Sequence, residues 1–364
     1  MFGSGRCQAG IDPASIVVRN EFLHVPAASP IAPVHRRIPP SSGPKTRKRV
    51  VVAQELGYCW GVRRALEIVE AAAESAGPIA PIGDVIHNPQ VVERLRERGV
   101  EGAASVAEAA TRGFRRVAIT AHGMGPHLAG EAASAGVELI DTTCPLVTKV
   151  QRLAQKLVRQ GYFLVVYGDS YHPEVRSVIG WAGTSKAVAA KKIEDLPWNA
   201  PRGASGEGVA TPPRKVAVVS QTTKNVDELM VFAQKLQAMV MPEGGEFRLC
   251  NTICEPTSER QNALKRLVEQ DQVDVILAIG GRKSSNTARL AEVGNALGVP
   301  SHHIERTEDI EDEWLTDADI VGVTAGASTP DDVIEAVVAE LARRGFAPPE
   351  NGIRPVETEY VPSY

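Results

Sequence analysis

Apolar residues in this chain occur in two alternating patterns, short unbroken runs and longer segments with helical spacing. The runs Val50-Val-Val-Ala and Tyr162-Phe-Leu-Val-Val-Tyr are apolar throughout, as in strands that are buried on both faces of a parallel sheet. The segments between such runs carry apolar residues three and four positions apart, which is the period of an amphipathic helix. This alternation predicts an α/β fold.

The same order of elements occurs three times, and each time a cysteine opens the predicted helix. Cys59, Cys144 and Cys254 each follow a short apolar stretch and precede an amphipathic segment. Each unit then continues with strands that end in polar loops. Three such units predict a threefold α/β repeat that presents one cysteine from each unit.

The polar loops recur at similar distances from the three cysteines. His87 lies 28 residues after Cys59, His172 lies 28 after Cys144, and Ser284 lies 30 after Cys254. A second set follows at offsets of 63, 78 and 74, at His122, Thr222 and Ser328. Because ligands of open parallel sheets bind beyond the carboxyl ends of the strands, we expect the thiols and loops to converge.

The repeat also predicts where the chain divides. Residues 1–48 are rich in proline and basic residues and show no sustained period, which predicts a disordered extension. A transit peptide and a start site assigned too early are the alternatives, and Cys7 and His24 are left outside the fold. The predicted units span 49–144, 145–250 and 251–345, and a tail with one possible strand, Arg354 to Glu359, spans 346–364.

Composition narrows the class of protein. The 364 residues carry a net charge of −4. Because positive and negative charges are nearly balanced, we expect neither nucleic acid nor a membrane surface as a partner. No apolar run reaches the roughly 18 residues that a membrane-spanning helix needs. Five cysteines in so long a chain suit a reducing compartment, so we expect a cytoplasmic protein with metal-binding or reactive thiols.

The three repeated cysteines allow several kinds of chemistry. The positive potential of a helix N-terminus favours the thiolate, the form that binds metal. Burial as small apolar residues, a zinc site and an iron–sulfur cluster all remain open, and Cys250 with Cys254 allows a local zinc site. If the three thiolates held a four-iron cluster, one iron would lack a protein ligand and act as a Lewis acid.

The polar loops indicate an anionic ligand such as a phosphate. Donors at His87, His122, His172, Ser284, Asn286 and Ser328 include several at predicted helix starts, where anions bind. No Gly-rich nucleotide motif is present, and His127, His302 and His303 are expected at the surface. Glu174 is either an ordinary acidic residue in the first turn of a helix or a proton donor. Thr222 and Thr223 either cap a helix or face a substrate hydroxyl.

Eight motifs together resemble the IspH/LytB family of 4-hydroxy-3-methylbut-2-enyl diphosphate reductases. The resemblance covers roughly residues 50 to 345 in the family's order. A tryptophan at Trp60, beside Cys59, is less usual for the family. The motifs are Gly57-Tyr-Cys-Trp-Gly-Val62, Ile86-His-Asn88, Ala121-His-Gly123, Asp141-Thr-Thr-Cys-Pro-Leu-Val-Thr-Lys149, His172-Pro-Glu-Val175, Gln221-Thr-Thr223, Lys283-Ser-Ser-Asn286 and Thr324-Ala-Gly-Ala-Ser328.

The resemblance implies three related α/β domains in a pseudo-threefold trefoil around one 4Fe–4S cluster with an open iron. It implies the last step of the methylerythritol phosphate route, a two-electron reductive dehydroxylation that yields isopentenyl and dimethylallyl diphosphates. A ferredoxin or flavodoxin type of protein would supply the electrons. The implied roles are cluster ligands at Cys59, Cys144 and Cys254, catalysis by Glu174, His172 and Thr222, and substrate binding by His87, His122, His172, Thr222, Thr223, Ser284, Ser285, Asn286 and Ser328.

Two other functions remain as competing hypotheses. A redox-neutral hydro-lyase would use the open iron without any reductant. A metal-bearing sensor of phosphometabolites would bind the ligand and catalyse nothing. The pairing of Glu174 and Thr222 with three cysteines favours the reductase.

Overall fold

The computed structural model of the chain describes residues 18–19, 48–183, 185–198, 211–350 and 352–353. Most of the predicted extension 1–48, with Cys7 and His24, lies outside the described residues. The predicted tail strand Arg354 to Glu359 lies outside them as well.

The described residues form strands and helices in near-regular alternation. The strands are β1 (Val18–Arg19), β2 (Arg49–Val52), β3 (Ala80–Pro81), β4 (Arg116–Ile119), β5 (Glu138–Asp141), β6 (Phe163–Tyr167), β7 (Ala187–Ala190), β8 (Lys215–Ser220), β9 (Glu246–Cys250), β10 (Val275–Ile279), β11 (Ser301–Ile304) and β12 (Ile320–Ala325). The helices are α1 (Trp60–Ala76), α2 (Pro89–Glu97), α3 (Val106–Thr111), α4 (His127–Ala135), α5 (Pro145–Arg159), α6 (Pro173–Ala182), α7 (Val226–Val240), α8 (Glu255–Glu269), α9 (Ser285–Ala296), α10 (Asp312–Leu315) and α11 (Asp331–Arg343). Short 3-10 helices lie at Ile193–Asp195, Met241–Glu243 and Thr307–Asp309.

The strands form three sheets, and every pairing between these strands is parallel. The first sheet has the order β3-β4-β5, the second β1-β9-β8-β6-β7, and the third β11-β10-β12-β2. Each sheet is covered by helices, as parallel sheets require. The predicted α/β class with parallel sheets is confirmed.

The strand that opens the first predicted unit lies in the third sheet. Strand β2 runs parallel to β12, with Val50 opposite Val321. The amide of Val50 also donates to the carbonyl of Ala347 at 2.8 Å. The predicted first unit starts at residue 49, whereas β2 extends the third sheet and covers the edge that β12 would otherwise leave unpaired.

One short piece of the predicted extension lies in a sheet. Strand β1 pairs with β9, so that Val18 is opposite Leu249 and Arg19 is opposite Cys250. These two residues depart from the prediction that everything before residue 49 lies outside the fold. The division of the chain into three domains otherwise stays a prediction.

The helix that follows Cys144 illustrates how the amphipathic pattern builds the core. Val150, Leu153, Ala154 and Leu157 of α5 are buried together against the apolar residues of β6 and β8. Burying one such leucine or valine stabilises the fold by roughly 1.5–3 kcal/mol relative to exposure. This row of apolar residues therefore fixes which side of α5 faces the sheet. It also fixes the position of Cys144, which directly precedes the helix.

Strands β7 and β11 are absent from the sequence prediction. Both have four residues, and β11 contains His302 and His303, which are polar for a strand. Both histidines, which were expected at the surface, are half-buried and make specific contacts. His302 stacks on Trp314 with ring centroids 3.7 Å apart, and His303 Nε2 lies 2.9 Å from the Gly280 carbonyl.

The loops after the strands carry the polar residues that the repeat predicted. His122 follows β4, Thr222 follows β8, and Ser328 follows β12, each within three residues of the strand's last residue. None of the helices in the described ranges combines the length and apolar character needed to cross a membrane.

Candidate active site

One cavity brings together every site residue that the sequence predicted. The three cysteines, the three histidines and the acidic and hydroxyl groups all line it, although they come from loops of all three sheets. Among the residues that line it are Cys59, His87, His122, Cys144, His172, Glu174, Thr222, Thr223, Cys254, Ser284, Ser285, Asn286 and Ser328.

The three cysteines occupy equivalent positions. Cys59, Cys144 and Cys254 are the N-cap residues of α1, α5 and α8, and all three are free thiols. Each backbone amide donates to a carbonyl in a loop that follows a strand, which is β12 for Cys59, β4 for Cys144 and β8 for Cys254. The pairs are Cys59 with Ala327 at 3.2 Å, Cys144 with Ala121 at 3.0 Å and Cys254 with Thr222 at 3.0 Å.

A glycine makes room for two of the sulfur atoms. A Cβ atom at Gly61 would lie 2.7 Å from Cys144 Sγ and 3.9 Å from Cys59 Sγ. Real Cβ atoms do not approach a sulfur atom as closely as 2.7 Å. Gly61 therefore allows α1 to begin beside the thiol at the start of α5.

Burial favours the protonated form of two of these thiols in the protein alone. It raises the pKa of Cys144 to about 12, and the neighbouring thiol of Cys59 adds to the effect. Burial likewise raises the pKa of Cys254 to about 12. The expectation that the helix N-termini favour thiolates is thus wrong without a cation, whereas a bound metal deprotonates its thiol ligands outright.

The donor set fits an iron–sulfur cluster better than a single zinc ion. Within the described ranges, the three thiols do not form a group that could hold one ion between them. Cys250 does not supply a fourth ligand at the cavity, because it is buried in the core between β9 and α5. The local zinc site of Cys250 and Cys254 is therefore not supported.

The three histidines pack against one another at the wall of the cavity. The rings of His87 and His122 are stacked with centroids 4.2 Å apart, and His172 meets them edge-on at 5.6 and 5.4 Å. Burial lowers the pKa of His87 and lowers that of His122 well below its usual range. The pKa of His172 falls to about 4, first through burial and then through His87 and Lys224. All three imidazoles are therefore neutral at neutral pH.

The ring nitrogens of this group lie within 4.8 Å of one another, close enough for a single metal ion. The tautomer of His172 argues against a metal. Its Nδ1 accepts a hydrogen bond from the amide of Glu174 at 3.2 Å, and a backbone N–H can only donate. The proton of the neutral ring is therefore on Nε2, where it can be donated to an anion and excludes metal binding.

Further polar atoms at the cavity have no partner within the part of the chain that the structure describes. They are His87 Nδ1, both side-chain amide atoms of Asn286 and the hydroxyl of Ser328. Buried polar groups are normally satisfied, so several such groups at one cavity point to a polar ligand. Ser284 is partly committed elsewhere, because its hydroxyl caps α9 by accepting from the amide of Thr287 at 3.3 Å.

Glu174 is held in place by a single threonine. The amide of Thr222 donates to Oε1 at 2.7 Å, and the Thr222 hydroxyl lies 2.8 Å from Oε2. Burial raises the pKa of Glu174 to about 7, although these hydrogen bonds and Lys224 act in the opposite direction. The carboxyl group can thus carry a proton near neutral pH, as a general acid must.

Gln221 is a site residue to which the sequence assigned no role. Its side chain is 1% exposed and contacts both Thr223 and Ser285 behind the cavity wall. In the sequence, Gln221 stands out only as the first residue of the Gln221-Thr-Thr223 motif. A position directly after a buried strand was the available signal, but which groups its amide reaches depends on the third sheet.

Comparisons with known proteins agree on one family. The family model described as LytB protein matches residues 50–342. The 4-hydroxy-3-methylbut-2-enyl diphosphate reductase of Geobacter sp. (strain M21) is 35% identical over 296 residues, which cover 81% of this chain and 97% of that protein. The protein of the same name from Aquifex aeolicus (strain VF5) is 35% identical over 295 residues, covering 80% and 95%.

Two solved structures are similar as well. One is described as (E)-4-hydroxy-3-methyl-but-2-enyl diphosphate reductase, the terminal enzyme of the non-mevalonate pathway. It is 33% identical, has a TM-score of 0.56, and the match covers 81% of this chain and 99% of that one. The other, a reductase from Plasmodium falciparum, has a TM-score of 0.74 and covers 87% and 95%; at 23% identity it supports the fold alone.

Proposed function

The chain belongs to the LytB protein family, and on that basis we propose that it is a 4-hydroxy-3-methylbut-2-enyl diphosphate reductase. The enzyme catalyses the last step of the methylerythritol phosphate route to isoprenoids. Two electrons and two protons replace the allylic C–O bond with a C–H bond, and the hydroxyl group leaves as water. The products are isopentenyl and dimethylallyl diphosphates. The observation that carries this function is the convergence of three thiols, anion donors and a proton-bearing carboxyl group in one cavity.

The enzyme is an iron–sulfur protein, and Cys59, Cys144 and Cys254 would hold its cluster. Three free thiols at equivalent helix starts, with space between two of them at Gly61, support this assignment. We infer one 4Fe–4S cluster per chain, with one iron that has no protein ligand. When bound, such a cluster supplies the electrons and a Lewis acid for the substrate hydroxyl. A ferredoxin or flavodoxin type of protein would reduce the cluster. The free thiols suit a reducing compartment such as the cytoplasm.

The diphosphate would bind where the histidines and the start of α9 line the cavity. Neutral imidazole N–H groups of His87, His122 and His172 can donate to its oxygen atoms. Ser284, Ser285, Asn286 and Ser328 add hydroxyl and amide donors near the N-terminus of α9, where an anion is favoured. The partnerless buried atoms of His87, Asn286 and Ser328 support this placement.

The proton path would run through two side chains. Glu174 carries the proton, and the Thr222 hydroxyl lies 2.8 Å from its Oε2 and also lines the cavity. A proton that passes from Glu174 Oε2 to Thr222 Oγ1 releases the threonine's own proton to the substrate. His172 holds the first turn of α6, because its Nδ1 accepts the Glu174 amide. Glu174 and Thr222 are thus the proton-transfer residues, and His172 orients the carboxyl group.

An anaerobic assay tests this function against the two competing ones. Protein purified without oxygen should contain iron and inorganic sulfide and should reduce the diphosphate only when a low-potential donor is present. Product formed without a reductant would indicate a hydro-lyase. Tight ligand binding without turnover, or a colourless zinc protein, would contradict the reductase assignment.

A further inference from the structure

We propose that Gln221 is a positioning residue that makes the Thr223–Ser285 hydroxyl pair donate a hydrogen bond to the substrate's diphosphate. The proposal rests on the proposed function in one respect, which is that the anion in the cavity is the substrate's diphosphate. Gln221 lies behind the cavity wall and is not placed to touch the substrate itself. Its effect passes through the two hydroxyl groups that line the cavity.

The orientation of the Gln221 amide follows from one hydrogen bond. The backbone amide of Asp169 lies 3.2 Å from Gln221 Oε1, and a backbone N–H can only donate, so this atom is the carbonyl oxygen. Close packing keeps the side chain there. A Cβ atom at Gly168 would lie 2.9 Å from Gln221 Cβ and 3.0 Å from Oε1. The NH₂ group must therefore face the other way.

That NH₂ group supplies both hydroxyls with a donor. Gln221 Nε2 lies 3.0 Å from Thr223 Oγ1 and 3.2 Å from Ser285 Oγ, and the two hydroxyl oxygens are 3.1 Å apart. Each amide proton fills one lone pair of one hydroxyl. Neither hydroxyl can then donate back to Gln221.

The number of hydroxyl protons on Thr223 and Ser285 shows that one of them is left for the cavity. Thr223 and Ser285 together carry two hydroxyl protons, and their mutual hydrogen bond uses one. With Thr223 as the donor in that bond, Ser285 accepts twice and keeps its own proton for an acceptor in the cavity. Ser285 is also the first residue of α9, so its proton and the helix N-terminus act on the same anion.

The contact also joins two sheets. Gln221 follows β8 of the second sheet, whereas Ser285 opens α9, which packs on the third sheet. The loop that leads to His172 is tied to the same amide through Asp169. One side chain thus sets both the hydroxyl polarity and the distance between the proton-delivery loop and the diphosphate site.

A double-mutant cycle tests the proposal on cluster-loaded protein under anaerobic conditions. Inorganic diphosphate is titrated calorimetrically into wild type, Ser285→Ala, Gln221→Glu and the double variant. In the wild-type background, Ser285→Ala should weaken binding about tenfold, as for the loss of a hydrogen bond to a charged group. The carboxylate introduced by Gln221→Glu would accept both hydroxyl protons, so in that background Ser285→Ala should change the affinity less than about twofold.

Gln261→Glu is the matched control. It introduces the same charge at a buried glutamine that contacts Asn225 and Lys224 in the same loop but makes no contact with Ser285. Ser285→Ala should still weaken binding about tenfold in that background. An equal loss from Ser285→Ala in the Gln221→Glu and wild-type backgrounds would overturn the role of Gln221. If the two substitutions are coupled but the protein binds diphosphate without converting the substrate, the proposed reductase function would be overturned. The role of Gln221 would then still stand.

Discussion

Glu174 shows how burial changes the protonation of a single side chain. The side chain is 2% exposed, and its two oxygens are held by one residue, Thr222. Desolvation disfavours the charged form of a carboxyl group, which keeps a proton on Glu174 at a pH where an exposed glutamate has lost it. The residue is therefore suited to donate a proton at the cavity.

Replacing this carboxyl group should abolish most of the turnover. Glu174→Gln keeps the size of the side chain but has no proton to transfer, so kcat should fall by about 10²–10⁴-fold while the affinity for inorganic diphosphate changes little. Anaerobic steady-state kinetics and calorimetry measure the two quantities. Glu259→Gln is the control, because burial also raises the pKa of Glu259, which does not line the cavity. Near-normal kcat in Glu174→Gln would remove Glu174 from the proton path.

The raised pKa of Glu174 also sets the direction of the pH profile. The protonated carboxyl is the active form, and its pKa is about 7, so it is present below that pH and is lost as pH rises through it. We expect kcat to decline above about pH 7 with a slope of roughly one decade per pH unit. The profile should be recorded with the chemical reductant in excess. A kcat that stays constant to about pH 9 would contradict the assignment of Glu174 as the acid.

At the scale of elements, the important unit is a helix whose N-cap is a cysteine. Three helices begin in this way, and the apolar stripe on each helix fixes how it lies on its sheet. The position of each sulfur is therefore set by core packing many residues away. Gly61 is the point at which two of these helices approach each other beside their sulfur atoms.

The glycine at this approach should be irreplaceable. Alanine is normally the better helix residue by about 1 kcal/mol, yet Gly61→Ala would place a methyl group 2.7 Å from Cys144 Sγ. We expect that variant to lose at least half of its iron, measured as iron and sulfide per chain. Gly130→Ala in α4 has nothing within 4 Å and should instead raise the free energy of unfolding by about 0.5–1 kcal/mol. Full iron content in Gly61→Ala would show that Cys144 can move aside.

At the scale of the whole molecule, three sheets contribute to one cavity. The three thiols follow strands of three different sheets, because Cys59 comes after β2, Cys144 after β5 and Cys254 after β9. A ligand that binds all three cysteines therefore links parts of the chain that come together at their loops. Such a ligand stabilises the folded state, since the unfolded chain does not hold the cysteines together.

Removing iron should accordingly lower thermal stability. Anaerobic chelation, or Cys144→Ser, should lower Tm by ~5 °C or more relative to the loaded enzyme. The matched control is Cys250→Ala, which removes a buried core thiol that does not line the cavity. Its Tm should fall through lost packing, but its iron content should equal that of wild type. Identical Tm values with and without iron would show that the cluster does not link the three sheets.

The repeat of cysteine, helix and strand-end loop could be predicted from the sequence because each part is local. Hydrophobic period, strand length and N-terminal placement of Cys59, Cys144 and Cys254 are properties of neighbouring residues, and their offsets revealed the repeat. The predicted site residues all reached one cavity for the same reason. Local pattern and the general rule for parallel sheets predicted this convergence, whereas the family resemblance supplied Ser285 and the roles of the residues.

Tertiary structure alone decided three other features. Strand β2 belongs to the third sheet, because parallel pairing joins residues about 270 positions apart and leaves no local signal. The neutral histidines and the raised pKa values of Cys144 and Cys254 depend on desolvation, which arises from the packing of several elements around the cavity. The role of Gln221 depends on Ser285, which the fold brings to it from another sheet. The sequence by itself determined which residues form the candidate site, whereas the packing of three sheets decided their charge and the direction of their hydrogen bonds.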